Sequence, residues 1–369
     1  MKFTVSRDAL LKPLNLVAGV VERRQTLPIL SNVLLVVDKD HLSLTGTDLE
    51  VELIGRVPLA ESRDETGEVT VPARKLVDIC RSLPDGSDIQ FSVEESKVTV
   101  SCGRSRFTLS TLPAREFPSL EDSMGTHQLS LKQGQLKRLI DRTAFAMAQQ
   151  DVRYYLNGML WEIKDHKLTV VATDGHRLAL CSLPGSLEVE SDTQVILPRK
   201  GVLELGRLLL DDEGDIRIVI GSNHIRATTA DFTFTSKLVD GKFPDYQRVM
   251  PRNADKIVIG SRLELRQAFA RTAILSNEKY RGVRLKLEEN NLDIIANNPE
   301  QEQAEESVSV EYSGGELEIG FNVSYLLDVL GVLSGEKIKL ALSDPNSSAL
   351  LEEVEDDGDS RYVVMPMRL

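Results

Sequence analysis

An internal repeat constrains this chain more than any other feature of its sequence. Three amphipathic helical segments begin at Ser6, Gly134 and Ser261, about 127 residues apart, and apolar residues recur in each at helical spacing. With 369 residues, the chain also exceeds what one hydrophobic core usually supports. The sequence therefore predicts several tandem domains of one type.

The segments between these helices follow the same order three times. Each first helix leads into two alternating strands joined by a polar turn, a pattern that predicts hairpins. The hairpin segments are LSNVLLVVDKDHLSLTGTDLEVEL, LNGMLWEIKDHKLTVVATDGHRLAL and RGVRLKLEENNLDIIANNPEQEQAEE. A second helix then starts near Val71, Leu197 and Gly320, and further strands close each repeat. Proline marks the start of the first two of these helices, and Asn322 is expected to cap the third.

This order predicts an α+β fold. Two helices that each bury one stripe on an antiparallel sheet form an α+β layer. We expect three such domains, at residues 1–122, 123–253 and 254–369. Repetition alone does not decide whether the domains stay open or close into a ring. Heterologous contacts form a ring only when the rotation from one domain to the next returns to the starting point.

The charge of the chain is distributed unevenly. The net charge of -13 argues, taken globally, against a nucleic-acid partner. The predicted helices, however, carry 14 Lys and Arg against 6 Asp and Glu, a net charge of +8 that leaves -21 for the remainder. These helices span 6–18, 72–82, 134–147, 198–209, 261–274 and 322–333. Any one of them alone fits an ordinary solvated face, but five of six share the bias. Together they predict a positive surface that attracts phosphate without reading bases.

Several function classes have no signature in the sequence. There is no zinc-finger, RNP or recognition-helix motif, and no GxSxG, P-loop, HExxH or GxGxxG motif. Cys80, Cys102 and Cys181 are widely spaced and form no CxxC pair, so we expect reduced packing residues, with no metal and no cofactor. The N-terminal segment has no signal-peptide pattern and no run of 18 apolar residues occurs, which predicts a cytoplasmic protein.

The most enzyme-like string is TDGHRLAL, in which Asp174 and His176 suggest an acid–base pair. Its counterparts in the other repeats are TDLEVEL and ANNPEQEQ, which lack histidine. A structural or binding role for His176 is therefore favoured over a hydrolase. The remaining histidines are scattered in polar turns or near strand ends: His41, His127, His166 and His224.

Many segments, in the same order, resemble one known family. They include TLPILSN, LTGTDLE, TVPARK, SRFTLSTLPA, QDVRYYLNGML, VATDGHRLAL, TSKLVDGKFPDY, AILSNEKYRGVR, ANNPEQEQAEE, GFNVSYLLDVL and YVVMPMRL. The chain is similar over its whole length to bacterial sliding clamps, the beta subunits of DNA polymerase III. This resemblance implies a non-catalytic processivity factor: a head-to-tail homodimer whose six clamp domains close a ring around double-stranded DNA, with helices lining the hole. It also implies an ATP-driven clamp loader, because a closed ring cannot load itself onto circular DNA.

The resemblance further implies DNA contacts and a dimer interface. The DNA contacts would be Arg24, Arg74, Gln150, Tyr154, Tyr155, Arg199 and Lys200. Such phosphate contacts are exchangeable among many basic side chains. One end of the crescent-shaped protomer would present Arg104, Arg106, Phe107 and Leu109, and the other end Ile274, Leu275, Glu300, Glu302, Glu305 and Glu306. Apolar burial would supply affinity and opposite charges would fix register. Taken alone, without the resemblance, these residues fit a solvated strand and loop better.

The resemblance also implies a partner-binding cleft between the second and third domains. Its residues would be Arg153, Tyr155, Leu156, Thr173, Gly175, His176, Arg177, Leu178, Pro244, Arg248, Val249, Asn322, Tyr325, Ser348, Val363, Val364, Met365, Pro366, Met367 and Arg368. Partners would be the DNA polymerase III alpha subunit, the clamp loader, other polymerases and repair proteins, each inserting a short peptide with apolar and aromatic anchors. Met and Pro suit an adaptable apolar surface, and Arg and Tyr suit its rim. The terminal YVVMPMRL equally fits a buried last strand.

Two hypotheses of different class therefore stand side by side. One is a clamp that encircles DNA, and the other is a peptide-binding adaptor whose repeats never close. A ring is retained on circular DNA and lost from linear DNA, whereas an open adaptor treats both alike.

Overall fold

A computed structural model shows one order of elements three times along the chain. The structure describes residues 1–21, 27–59, 66–120, 125, 127–183, 191–252, 254–355 and 359–368. Within these residues each third of the chain runs strand, helix, four strands, helix and three strands. The repeat predicted from the sequence is therefore confirmed in its helices and hairpins.

The bounds of the elements are as follows. The first third contains β1 (Lys2–Ser6), α1 (Arg7–Val20), β2 (Asn32–Val37), β3 (His41–Thr47), β4 (Val51–Pro58), β5 (Gly67–Pro72), α2 (Ala73–Ser82), β6 (Asp88–Glu94), β7 (Lys97–Cys102) and β8 (Ser105–Ser110). The second contains β9 (His127–Lys132), α3 (Gln133–Asp141), β10 (Gly158–Lys164), β11 (Lys167–Thr173), β12 (Arg177–Ser182), β13 (Thr193–Pro198), α4 (Arg199–Leu208), β14 (Asp215–Ile220), β15 (His224–Thr228) and β16 (Phe232–Lys237). The third contains β17 (Lys256–Ser261), α5 (Arg262–Thr272), β18 (Gly282–Glu288), β19 (Asn291–Asn297), β20 (Gln303–Ser309), β21 (Leu317–Asn322), α6 (Val323–Val332), β22 (Lys337–Leu342), β23 (Ala349–Glu353) and β24 (Ser360–Val364).

Each repeat begins with a strand that the sequence analysis did not predict. β1, β9 and β17 precede the first helix of their repeats and pair antiparallel with β6, β14 and β22. Each has only five or six residues, and its partner lies far along the chain. A short alternation whose partner is distant gives little local signal, so a helix was the first element that the pattern indicated.

Two helices end earlier than predicted. The segment expected to be helical over 134–147 leaves the α-helix after Asp141, and the one expected over 261–274 leaves it after Thr272. In both, a threonine hydroxyl donates to the carbonyl four residues earlier: Thr143 to Leu139 at 2.7 Å and Thr272 to Ala268 at 2.9 Å. A short 3-10 helix follows each. Such side-chain bonds compete with regular helix geometry.

Contacts divide the chain into two compact units. Unit 1 comprises residues 1–134 and 203–238, and unit 2 comprises residues 135–202 and 239–369. Each has one eight-stranded and one four-stranded antiparallel sheet. The strand orders are β5-β2-β3-β4-β16-β15-β14-β9 and β1-β6-β7-β8 in unit 1, and β13-β10-β11-β12-β24-β23-β22-β17 and β20-β19-β18-β21 in unit 2. Each large sheet thus joins strands of two successive repeats, through β4 with β16 and β12 with β24.

The core of each unit lies between helices and sheet. In unit 1, α1 packs on β3, β4 and α2 and buries Leu10, Leu14 and Val17. Close approach is possible because β4 carries Gly55, where an added Cβ would lie 2.9 Å from the Pro13 Cβ. In unit 2, α5 packs on β19, β20 and α6. Each fully buried Leu or Val contributes roughly 1.5–3 kcal/mol.

The cysteines are free thiols, and two of them are packed inside the protein. All three cysteines are free, with Cys80 and Cys181 buried and Cys102 half-buried. Burial raises the pKa of the Cys80 thiol to about 12, so this sulfur is an inert packing group. In the part of the chain that the structure describes, no helix has the length and apolar character needed to span a membrane.

Candidate functional site

A cleft with a volume of about 630 Å³ lies in unit 2. Strand β12 and the turn before it form one side, and the segment after Val239 and the end of β24 form the other. The lining residues are Arg153, Leu156, Thr173, Gly175, His176, Arg177, Leu178, Phe243, Pro244, Asp245, Tyr246, Arg248, Val249, Met250, Pro251, Arg252, Ser343, Asp344, Ser347, Ser348, Val363 and Met365.

The floor of the cleft is apolar. Leu156, Leu178, Phe243, Tyr246 and Val363 are buried members of one hydrophobic cluster. Pairing of β12 with β24 places Leu178 directly opposite Val363 in the register. The floor is therefore built by the sheet that joins the second and third repeats, and it offers apolar surface to a ligand.

The turn between β11 and β12 is fixed by its own side chains. Thr173 Oγ1 donates to the Arg177 carbonyl at 2.6 Å and accepts from the Gly175 amide at 3.1 Å. Asp174 Oδ1 accepts from the amides of His176 at 2.9 Å and Arg177 at 3.1 Å. Both carboxylate oxygens of Asp174 are in use, since Oδ2 accepts from Arg177 Nε at 3.1 Å. Asp174 thus stabilises the turn, which accounts for it without acid–base chemistry.

The Arg177 guanidinium holds this turn against neighbouring elements. It pairs with Asp174 and Asp328, and Nη2 donates to the Phe145 carbonyl at 2.9 Å. Its central carbon lies 5.2 Å from the Phe145 ring centroid and 4.6 Å from the Tyr325 ring centroid. With 13% of its side chain exposed, Arg177 acts mainly as a fixed wall of the cleft. Stacking on aromatic faces suits a guanidinium better than an ammonium.

A second arginine stands at the rim. Arg153 donates through Nε and Nη2 to Asp151 at 3.0 and 2.8 Å, and its backbone amide donates to the same carboxylate at 2.8 Å. These hydrogen bonds lower the pKa of Asp151 to about 2, the side-chain bond having the largest effect. Gly175 lies beside this guanidinium: a Cβ added there would be 3.1 Å from the Arg153 Nη atoms. The rim is thus cationic and shaped by the absence of a side chain at Gly175.

The opposite wall is ordered by two acidic residues. Asp245 caps a short 3-10 helix at Tyr246–Arg248 by accepting from the Gln247 amide at 3.2 Å. The Tyr246 hydroxyl donates to buried Glu162. Burial, reinforced by this hydrogen bond, raises the pKa of Tyr246 to about 12, so the phenol keeps its proton. Val249 remains 52% exposed beside this ordered segment.

The arrangement suits a peptide with apolar anchors. Exposed Val249 and Met365 flank a buried apolar floor, and Met is adaptable in shape. The exposed arginines Arg153, Arg248 and Arg252 surround it. An apolar floor with polar groups at its edge is typical of hot-spot recognition of a small number of inserted side chains.

The structure brings most of the predicted cleft residues together. Those that line the cleft are Arg153, Leu156, Thr173, Gly175, His176, Arg177, Leu178, Pro244, Arg248, Val249, Ser348, Val363 and Met365. Those that do not are Tyr155, Asn322, Tyr325, Val364, Pro366, Met367 and Arg368.

The residues outside the lining have other positions. Tyr155 packs against the floor cluster, and Asn322 caps α6 by accepting from the Ser324 amide at 2.9 Å, as predicted. Val364 is fully buried, so it cannot present surface to a ligand. The Met367 amide donates to the Gly320 carbonyl at 2.9 Å. Pro366 is half-buried and Arg368 is exposed, while Tyr325 lies beneath Arg177.

Sequence reasoning missed part of the second wall. The additional lining residues are Phe243, Asp245, Tyr246, Met250, Pro251, Arg252, Ser343, Asp344 and Ser347. The string KFPDYQRVMPR, with apolar residues interleaved by proline and arginine, was the available signal for most of them. The sequence of SDPNSS indicates only a turn. The structure contains that turn, in which Asp344 accepts from the Asn346 amide at 2.8 Å.

The predicted DNA contacts lie in both units. Arg24 falls outside the described residues, and Arg74 is exposed in the first turn of α2 in unit 1. Five lie in unit 2: Gln150, Tyr154, Tyr155, Arg199 and Lys200. Tyr154 is 58% exposed and meets Tyr155 edge-on, with ring centroids 5.7 Å apart. Arg199 Nη1 donates to the Met147 carbonyl at 3.3 Å.

The predicted interface residues lie on edge strands, in the turns beside them and in the 3-10 helix Ala273–Leu275. In unit 1, β8 is an edge strand carrying exposed Arg106, half-buried Phe107 and buried Leu109, and exposed Arg104 precedes it. In unit 2, β20 is an edge strand that carries Glu305 and Glu306. The others in unit 2 are 76% exposed Ile274, half-buried Leu275, and exposed Glu300 and Glu302. Glu306 is paired within the chain, since Arg271 Nε lies 2.5 Å from its Oε1.

Comparison with known families covers almost the whole chain. The N-terminal, central and C-terminal domain models of the DNA polymerase III beta subunit match residues 1–121, 130–245 and 247–368. The chain belongs to the DNA polymerase III beta subunit family. It consists of three clamp domains of that family.

Similar proteins and structures agree over full length. The chain is 67% identical to the beta sliding clamp of Pseudomonas putida and 56% identical to that of Escherichia coli K12, with 100% of each chain covered. The crystal structure of the DNA polymerase III subunit beta from Pseudomonas aeruginosa superposes with a TM-score of 0.97 at 66% identity, again over 100% of both chains. A Pseudomonas aeruginosa sliding clamp of the same similarity is bound to griselimycin.

Proposed function

We propose that this chain is a sliding clamp: a non-catalytic processivity factor that encircles duplex DNA without reading its sequence and tethers a polymerase through the cleft in unit 2. The observation that carries the proposal is full-length similarity, at 67% and 56% identity, to proteins that are beta sliding clamps. The function hypothesis of a ring-forming clamp is thereby favoured over an open adaptor.

Positive helices support a sequence-neutral DNA contact. Lys12 on α1, Arg74 and Lys75 on α2 and Arg266 on α5 are exposed, and within the described residues none of the four forms an ion pair. Unpaired cations are free to neutralise phosphates and release counterions. Arg24, Gln150, Tyr154, Tyr155, Arg199 and Lys200 are proposed as further contacts.

Edge strands support a head-to-tail dimer. Strand β8 presents Arg106 and Phe107 from one end of a small sheet, and β20 presents Glu305 at the end of another. An unpaired edge strand is a template for pairing with another chain. We assign the interface to Arg104, Arg106, Phe107 and Leu109 of one protomer and to Ile274, Leu275, Glu300, Glu302, Glu305 and Glu306 of its partner. Because these surfaces differ, the contact is heterologous and a closed dimer uses it twice.

The cleft is proposed as the site for partner peptides. A Pseudomonas aeruginosa clamp binds griselimycin, and a Caulobacter crescentus clamp 40% identical to this chain has polyethylene glycol bound to a putative beta-motif tethering region. The buried apolar floor and cationic rim fit a short segment with apolar and aromatic anchors. The DNA polymerase III alpha subunit, the clamp loader, other polymerases and repair proteins are the proposed partners. Domain limits of 1–122, 123–253 and 254–369 remain a proposal.

Primer extension tests the processivity function. On a primed single-stranded circle with polymerase, clamp loader and ATP, the chain should lengthen the products made in one binding event. A variant truncated after Val364, which lacks the cleft residue Met365, is the matched control and should restore short products. Product lengths that do not respond to the chain would contradict the proposal.

A further inference from the structure

A turn in unit 1 has the same hydrogen bonds as the turn that borders the cleft in unit 2. Thr47 Oγ1 donates to the Val51 carbonyl at 2.9 Å and accepts from the Leu49 amide at 3.1 Å. Asp48 Oδ1 accepts from the amides of Glu50 at 2.9 Å and Val51 at 2.8 Å. These four bonds are those that Thr173 and Asp174 make in unit 2.

The surroundings of the two turns also correspond. The Lys237 amide donates to the Glu50 carbonyl at 2.9 Å, just as the Met365 amide donates to the His176 carbonyl at 3.0 Å. In each case the donor lies at the end of the strand that pairs beside the turn: Lys237 is the last residue of β16, and Met365 directly follows β24. The repeat has therefore built the scaffold of the cleft twice.

One position separates the two scaffolds. Where unit 2 has Gly175 at φ +89°, unit 1 has Leu49 at φ +77°. A left-handed backbone is costly for a residue with a Cβ and is kept only when its surroundings compensate. Here the compensation is packing, because Leu49 lies on a hydrophobic cluster of Ile29, Leu30 and Phe117.

That cluster is the counterpart of the cleft floor. Leu30 precedes β2 as Leu156 precedes β10, and Phe117 in the string EFPSL corresponds to Phe243 in KFPDY. In unit 2, Leu156 and Phe243 line the cleft beside the bare backbone of Gly175. In unit 1, the residues at these two positions, Leu30 and Phe117, belong to the cluster on which the side chain of Leu49 packs.

We propose that Leu49 occupies, from within the chain, the place in unit 1 that a partner's apolar side chain takes in unit 2, and so restricts peptide binding to one cleft per chain. This inference rests on the proposed function of the cleft. The side chain of Leu49 covers the apolar cluster in unit 1 although its left-handed backbone is strained. In unit 2 the corresponding residue is Gly175, which has no side chain and leaves the floor of the cleft open. The ligand that an emptied unit 1 would accept is a short peptide with a leucine anchor.

Photo-crosslinking with N-acetyl-photoleucyl-phenylalaninamide tests this, because the diazirine on the leucine side chain labels the surface in which it is buried. Leu49→Gly removes the side chain and suits the positive φ, so the turn should survive. Leu49→Met keeps an apolar occupant of similar volume and is the matched control. Gly175→Leu creates in unit 2 the situation found in unit 1. Labelled segments are identified by peptide mass mapping, and circular dichroism checks folding.

We expect wild-type protein and Leu49→Met to be labelled in unit 2 alone. In Leu49→Gly, labelling of residues 27–34 and 112–118 should rise to about ten times the background that the wild type gives there. This factor corresponds to the lower end of the free energy gained by burying one leucine side chain. Gly175→Leu should lose labelling of unit 2, and the double variant should be labelled in unit 1 alone. A folded Leu49→Gly protein without label in unit 1 overturns the proposal. Absent labelling of unit 2 in the wild type counts instead against the proposed function, since unit 1 is scored separately.

Discussion

The Arg142 guanidinium and the Glu353 carboxylate form a buried ion pair in unit 2, with Arg142 Nη1 3.0 Å from Glu353 Oε2. Arg142 also donates to the hydroxyls of Ser360 at 3.1 Å and Ser334 at 2.8 Å, and Glu353 Oε1 accepts from the Gly335 amide at 2.8 Å. The pair connects the turn directly after α3, in the second repeat, to β23 in the third. Both charges are almost fully hydrogen-bonded, which is what a buried pair requires.

Removing one member of this pair should destabilise the protein strongly. We expect Glu353→Gln to lower the free energy of unfolding by about 3 kcal/mol, because it leaves Arg142 buried without its counter-charge. The double variant Arg142→Met, Glu353→Leu should recover most of that loss. Urea unfolding measures both, and a Glu353→Gln variant as stable as the wild type would contradict the assignment.

The same pair gives a pH dependence with a definite sign. Burial alone would raise the pKa of Glu353, but hydrogen bonds from the Gly335 and Ser334 amides and from Arg142 outweigh it and lower the pKa. A carboxylate with a lowered folded pKa stabilises the protein fully above its ordinary pKa of about 4.3 and loses that contribution as pH falls through the folded value. Unfolding free energy should therefore decline below about pH 4, and less steeply in the double variant.

At the rim of the cleft, Arg153→Gln should raise the pKa of Asp151. The Arg153 guanidinium is the largest cause of the value of about 2, and the Arg153 backbone amide is the second. Because the amide remains in the variant, the pKa should rise only part of the way to about 3.9. Carbon-13 NMR titration of the Asp151 carboxylate measures this, with Arg248→Gln as the control that should leave it unchanged. An equal titration midpoint in both variants would show that the Arg153 guanidinium does not lower the pKa of Asp151.

The exposed apolar side chain of Ile274 should contribute to dimer formation. Ile274→Ala is expected to raise the dimer dissociation constant about a hundredfold, because each of the two contacts in the closed dimer loses roughly 1.4 kcal/mol of apolar burial. Val152→Ala, at a position 95% exposed, is the matched control. Sedimentation equilibrium distinguishes them, and a dimer of unchanged affinity in Ile274→Ala would count against the assigned interface.

Removing residues 365–369 should strongly weaken peptide binding by the cleft. Met365 lines the cleft, and its amide donates to the His176 carbonyl at 3.0 Å, so truncation removes both a wall and a tie to the turn. We expect the affinity for a polymerase-derived peptide to fall at least about tenfold with the dimer intact, since an inserted apolar side chain loses its contact with Met365. Calorimetry measures the affinity, with Val354→Ala as an exposed apolar control in the same unit. Unchanged affinity would contradict the assignment of residues 365–369 to the cleft.

The sequence predicted those features whose causes are local. The spacing of apolar residues predicted the helices, and the type and position of Asn322 predicted a helix cap. Both signals lie within one or two helical turns of the feature that they indicate. Strands β1, β9 and β17 were missed, since what makes them strands is pairing with β6, β14 and β22 far along the chain. The early ends of α3 and α5 are an exception: Thr143 and Thr272 bond there to the carbonyl four residues earlier, and a threonine in a helical pattern does not by itself show whether its hydroxyl makes that bond.

The cleft was predicted through family resemblance and only in part through physics. Thr173 and Asp174 have a turn signature that local chemistry explains. The burial of Val364, the use of Tyr325 as a stacking surface for Arg177 and the lining role of Met250 depend on which distant segments meet. Leu49 illustrates the limit best, because a leucine with a left-handed backbone is invisible in the sequence and obvious in the structure.

Retention on DNA of defined topology tests the central claim most directly. The protein is loaded onto nicked circular duplex DNA with clamp loader and ATP, washed in moderate salt, and the DNA is then cut once in half of the sample. A closed ring with positive helices stays on the nicked circle and slides off the linear product, because only topology holds it. We predict retention on the circle and loss after cutting. Equal retention on both, or equal loss from both, would contradict the account that this chain encircles DNA.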